Sequence, residues 1–179
     1  MATAVVSGYS NVTAVNLNVR SGNSYSYSGV IANGAATTSL AKQGYGTQTF
    51  TQAQTYTGAT TIKAGTLTLG GANGSILTSA VTARGGILEL DNSTAWTDRL
   101  DDATALSLGS LTLTSFNGAG TQAETVGATT FGVSGKVTIN NGATAGDQTT
   151  LAMGAVTRSA GVAIDFRGTG GTLGSGAES

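Results

Sequence analysis

Residues 44–70, GYGTQTFTQAQTYTGATTIKAGTLTLG, constrain the fold more than any other part of the chain. They hold three short strand-like runs, 47–51, 60–62 and 66–69. Large apolar side chains appear at alternate positions: Phe50 among threonines, Ile62 after two of them, Leu67 and Leu69 around Thr68. Alternation at period two places one set of side chains on one face of a strand. Gly58, Gly65 and Gly70 punctuate the runs, where the chain must bend. A unit this short cannot form a core of its own, so it must bury its apolar face against neighbouring units.

The rest of the composition agrees with stacked strands. At 179 residues and 17.5 kDa, one domain is expected, spanning 1–167 with a Gly-rich tail over 168–179. Only 9% of residues are charged, against roughly 25% in ordinary proteins. The 39% hydrophobic content separates the chain from the disordered class, which combines low hydrophobicity with high charge. The net charge is −1 and the eight Lys and Arg are spread along the chain, so phosphate neutralisation on a nucleic acid has little support. No apolar run is long enough for a membrane-spanning helix. The opening MATAVVSGYS lacks the basic and apolar regions of a signal peptide. There is no Cys, His or Pro. This excludes disulfides, thiolate–metal sites, Ser-His-Asp and Cys-His catalysis and the usual zinc sites. No cofactor is expected.

The run TYTGATTIKAGTLTLG, residues 55–70, resembles the autotransporter-associated β-strand repeat of bacterial surface and secreted proteins. The positions that carry the resemblance are Thr55, Tyr56, Thr57, Gly58, Thr60, Thr61, Ile62, Ala64, Gly65, Thr66, Leu67, Leu69 and Gly70. YSYSGVIANG before it, and LDNSTAWTDRLDDATALSLGSLTL and FRGTGGTLG after it, are similar to stretches that flank such repeats. The resemblance implies a right-handed parallel β-helix carried outside the cell. The core repeat occurs once.

Taken in order, strands are expected over 24–31, 37–42, 80–83, 87–90, 105–108, 110–114, 124–126, 129–133, 136–140, 149–153, 156–158 and 162–166, with an opening pair within 1–22. Here Val12, Ala14, Leu17 and Val19 are the apolar positions, and Val15 breaks strict alternation. Residues 91–104, DNSTAWTDRLDDAT, break the strand pattern and read as a loop that packs Trp96 and Leu100 back onto the body, with room for a helical turn. Strands this short and this evenly spaced also fit a β-sandwich. Short β-branched strands, Gly/Asn/Ala turns and the central motif favour a β-solenoid of about five to eight rungs.

Candidate sites are few. Asp98, Asp101 and Asp102 with Arg99 form the densest charge group, and several carboxylates suit a hard cation such as calcium. The spacing matches neither the EF-hand nor the nonapeptide calcium repeat, so a solvated loop is preferred. Glu89 and Asp91 share a strand face and, with Arg84, suggest a polysaccharide-cleaving constellation; the carboxylates are too scattered for it to be favoured. Tyr25 and Tyr27 could begin an aromatic platform for a sugar or a protein, or pack along the solenoid. The T-x-T pairs at 47–49, 55–57, 66–68 and 112–114 lack a fixed period, so threonine is read as a β-former rather than as an ice-binding array.

The expected function is a non-catalytic extracellular stalk or adhesive scaffold. The alternative is a self-assembling filament subunit, and a polysaccharide-active enzyme is a minor third reading. The expected partners are the chain's own copies stacked end to end, adjacent repeats of a longer chain, or surface glycans and host-cell molecules. Nucleic acid is not among them.

Overall fold

The computed structural model describes residues 5–7, 14–77, 80–95, 98–114, 121–141 and 148–169. Among these there is no helix, and eighteen strands pair in parallel throughout. They fall into three columns, one strand of each column per turn. The first contains β2 (Ala14–Asn18), β5 (Ser39–Gln43), β8 (Thr60–Ile62), the start of β11 (Val81–Asp91), the start of β12 (Leu106–Thr114), β14 (Thr129–Phe131) and β17 (Val156–Arg158). The second contains β3 (Ser24–Tyr27), β6 (Thr47–Phe50), β9 (Thr66–Leu69), the ends of β11 and β12, β15 (Gly135–Asn140) and β18 (Ile164–Thr169). The third pairs β1 (Val5–Ser7) with β4 (Val30–Ala32), β7 (Ala53–Gln54) with β10 (Ser75–Ile76), and β13 (Thr121–Val126) with β16 (Gln148–Met153). Bridges Ala32↔Thr55 and Ile76↔Leu100 join the pieces of this column.

Register fixes the turn length. First-column partners run Leu40, Thr60, Val81, Leu106, Thr129, Val156, so a turn takes about 20 to 27 residues. The result is a parallel β-solenoid of about six turns, roughly 30 Å long at the usual spacing of neighbouring strands.

Each inward position stacks on its counterpart one turn away. In the second column the ladders are Gln48–Leu67–Leu88–Leu111–Val137 and Phe50–Leu69–Leu90–Leu113–Ile139. All these residues are buried except Ile139, which is half-buried. The alternation of TLTL in β9 has its cause here: leucines enter the ladders and Thr66 and Thr68 take the opposite face, where Thr68 is buried and donates to Glu89.

Several strands differ from expectation. Residues 80–83 and 87–90 form one strand, β11, because the backbone stays extended through Gly85-Gly86 and absorbs them as a register shift between Ala83 and Ile87. Likewise 105–108 and 110–114 merge into β12. The single expected strand over 24–31 is two, β3 and β4, because the chain turns a corner at Ser28-Gly29. In β2 the residues turned toward the interior are Val15 and Leu17, and Ala14 is exposed, so the residue that seemed to break the alternation belongs to the ladder. Between β11 and β12 no described residue belongs to a named strand or a helix, and Leu100 bridges Ile76. Val12 and Trp96 lie outside the described residues.

Candidate functional site

The motif residues build the middle turns. Tyr56 is fully buried and its hydroxyl hydrogen-bonds the Thr60 hydroxyl at 2.6 Å. Ile62, Leu67 and Leu69 are core, whereas Thr55, Thr57 and Thr61 face outward. Gly65 has φ 66°, and a Cβ there would meet the Gly46 carbonyl oxygen at 2.3 Å. Only glycine fits a turn that is both left-handed and pressed against the turn below.

Long polar side chains enter the interior and serve as backbone partners where the columns end. Lys42 is fully buried, and its Nζ donates to the carbonyls of Gln43, Gly44 and Ala64 at 3.1, 2.8 and 3.1 Å. Burial pulls its pKa down. The Gln54 Oε1 accepts from the Ile31 amide at 2.8 Å, and its Nε2 donates to Gly29 and Gln52 carbonyls.

The largest such cluster anchors the loop after β11. Arg99 is fully buried. Its Nε donates to Asn92 Oδ1 at 2.7 Å, its Nη1 to the Gly74 carbonyl at 2.7 Å, and its Nη2 to the carbonyls of Gly71, Asp91 and Ala95 at 2.8, 2.7 and 3.2 Å. The planar guanidinium thus ties the loop to the preceding turn. Behind it, the Glu124 carboxylate accepts from the amides of Arg99 and Leu100, the latter at 3.0 Å, and so bridges the gap in the third column between Leu100 and β13. Burial pushes the Glu124 pKa up to about 7, against the pull of those two amides.

The sequence-derived candidates are placed as follows. Asp98, Asp101 and Asp102 are exposed, and among the described residues no group of three acidic side chains is arranged to hold a metal ion. Asp101 caps its own turn by accepting from the Ala103 amide at 2.8 Å. Burial raises the Asp98 pKa, and repulsion from Asp102 and Asp101 adds to it. Glu89 and Asp91 share the outer face of β11, with Glu89 accepting from the Thr68 hydroxyl at 2.7 Å. Arg84 lies five residues before Glu89, on the other side of the Gly85-Gly86 corner, and donates instead to Ser107 Oγ at 2.8 Å. The arginine and the carboxylates are not brought together. Tyr25 and Tyr27 continue the two inward ladders of the second column, opposite Gln48 and Phe50. Tyr27 packs edge-on against Phe50, with ring centroids 6.0 Å apart, and Tyr25 is exposed. Three of the four T-x-T pairs share one outward face: Thr47 and Thr49 pair with Thr66 and Thr68, and Thr112 and Thr114 follow one turn beyond Glu89 and Asp91. Ile87, Glu89 and Asp91 interrupt that array.

Sequence reasoning missed a groove at the corner between the first and second columns. It has a volume of about 330 Å³ and crosses five turns, from Tyr45 through Gly65, Arg84–Ile87 and Gly109 to Ser134.

The comparison with known families falls on the middle turns. Residues 40–69 match the family model described as Passenger-associated-transport-repeat, the kind of repeat that 55–70 resemble. The match takes in β5, β6, β7 and β8 and ends with β9. No curated protein and no solved structure matches the chain significantly.

Proposed function

We propose that the chain is a non-catalytic structural and adhesive segment of a bacterial passenger-type protein, exported to the cell surface or beyond. The observation that carries this reading is the coincidence of the matched repeat with two middle turns of the solenoid. Sequence family and architecture agree over the same residues. Passenger repeats belong to secreted and surface proteins, and a solenoid suits that setting: each turn touches only its neighbours, so length can grow by repetition. The separation of Arg84 from Glu89 and Asp91 along β11 supports a scaffold over a polysaccharide-cleaving enzyme.

The test has two arms. Antibody against the chain should label intact cells of the source organism or recover the protein from the medium. The purified chain, incubated with uronate and neutral polysaccharides, should release no new reducing or unsaturated ends. Retention in the cytoplasm, or steady release of sugar ends, would reject the reading.

A second reading has its own observation. Val156 is 48% exposed and Phe166 is 47% exposed, although each occupies an inward ladder position. A further turn would cover them, supplied by adjacent repeats of a longer chain or by a second copy stacked end to end. Electron microscopy separates the two: fibres with a regular axial repeat identify the filament subunit, and short uniform rods the stalk segment.

A further inference from the structure

We propose that the corner groove between the first and second columns binds an extended anionic polysaccharide, one bearing uronate or sulfate groups, laid along the solenoid axis. Three observations converge there. The first is charge. Lys63, just after β8, and Arg84, within β11, stand one turn apart in the register set by the Thr61↔Thr82 pairing, and Arg20 follows β2 at the same corner further down; Arg84 lines the groove, and Lys63 and Arg20 lie along the same edge outside its lining. All three are exposed. The described corner residues, 19–23, 44–46, 63–65, 84–86, 109 and 132–134, include no carboxylate, and no ion pair among the described residues involves these cations. The described carboxylates lie past this corner: Glu89, Asp91 and Asp165 on the second column, Asp98, Asp101 and Asp102 in the loop after β11, and Glu124 on the third column. A molecule of net charge −1 therefore carries one basic edge, and such an edge attracts anions along its length.

The second is construction. Arg84 reaches across the next turn to Ser107 Oγ and lies against the backbone of Gly132, where a Cβ would meet its Cζ at 2.7 Å. Its position over the groove is held by a hydroxyl and by a glycine that leaves room for it. The third is an aromatic end wall. Tyr45 is 78% exposed between Gly44 and Gly46, both pressed against the turn below, so the ring is presented from a rigid turn. An exposed ring face, a floor of bare backbone, hydroxyls of Thr66, Ser110 and Ser134 and the Arg84 guanidinium, with Lys63 on the adjoining edge, suit a chain of pyranose rings with anionic substituents. The proposal adds a ligand to the scaffold reading and rests on it in one respect: the glycan should leave the groove uncut.

The purified chain would be titrated with polygalacturonate, dextran sulfate and neutral dextran at low and moderate salt, following affinity and polymer length. Binding to either anionic polymer and not to neutral dextran is expected, weakening with salt. Preference between the two distinguishes carboxylate from sulfate. Replacing both Lys63→Ser and Arg84→Ser should weaken binding about tenfold, the scale of two lost cation–anion contacts. Tyr45→Ala should weaken it several-fold, and Arg167→Ser, away from the groove, should change nothing. Circular dichroism would confirm that each variant is folded. Equal binding of neutral dextran, no binding of either anionic polymer at low salt, an equal loss with Arg167→Ser, or tighter binding of duplex DNA lost with the same variants would overturn the proposal. Shortening of the polymer would instead reject the non-catalytic reading while leaving the site in place.

Discussion

Arg99 and Glu124 show how single side chains close a solenoid where its strands lapse. Arg99 holds four carbonyls and one amide oxygen, and removing it leaves buried acceptors unpaired. Arg99→Ala should therefore destabilise the chain by about 3–5 kcal/mol, read as a lowered midpoint in urea. The Glu124 carboxyl has a folded pKa of about 7, raised by burial above its ordinary value of 4.5. The folded chain thus holds this proton more tightly than the unfolded chain does. Stability from this group is fully present below about pH 4.5, declines as pH rises through 7, and is flat beyond, a loss on the order of 3 kcal/mol. Glu124→Gln keeps an acceptor for the amides of Arg99 and Leu100 and removes the titration. Denaturation midpoints of this variant should lose that part of the pH dependence; an unchanged slope between pH 5 and 8 would contradict the assignment. None of this was legible in the sequence. Arg99 reads there as one member of an acidic, solvated loop, and Glu124 as one residue of a short strand, because nothing local marks a charge as buried when the contacts that bury it, Arg99 on Gly74 and Glu124 on Leu100, span 25 and 24 residues.

At the scale of elements, the leucine ladders and the corner glycines divide the work. Leu88 stacks between Leu67 and Leu111. Leu88→Ala should cost about 2–5 kcal/mol, with hydrogen-exchange protection lost in β9 and β12 before β17. Gly65→Ala meets both a positive φ and a carbonyl at 2.3 Å, and should cost at least about 2 kcal/mol. Tolerance of alanine at Gly65 would show that the turn is looser than described. Alternation in TLTL and the motif at 55–70 were enough to read β8, β9 and the inward set Ile62, Leu67 and Leu69. The merging of strands into β11 and β12 was not readable, because Gly85-Gly86 and Gly109 look like breaks in one dimension. They are corners that stay extended under the constraint of adjacent turns. The basic corner had a signal that went unused: Arg20, Lys42, Lys63 and Arg84 recur at nearly one turn's spacing. Three of them line the edge, and Lys42 turns inward to cap carbonyls.

Across the whole molecule, each turn is stable only through its neighbours. Inner strands of the first two columns bond on both sides, whereas among the described residues β2 pairs with β5 alone and β17 with β14 alone. Stability should accordingly be graded along the axis. The most direct test is amide hydrogen exchange of the full chain, read by mass spectrometry at neutral pH. Exchange should be slowest in β9, β11 and β12, with protection falling stepwise toward β2 at one end and toward β17 and β18 at the other. Uniform protection across all strands, or the strongest protection in β17 and β18, would contradict a stack of neighbour-dependent turns.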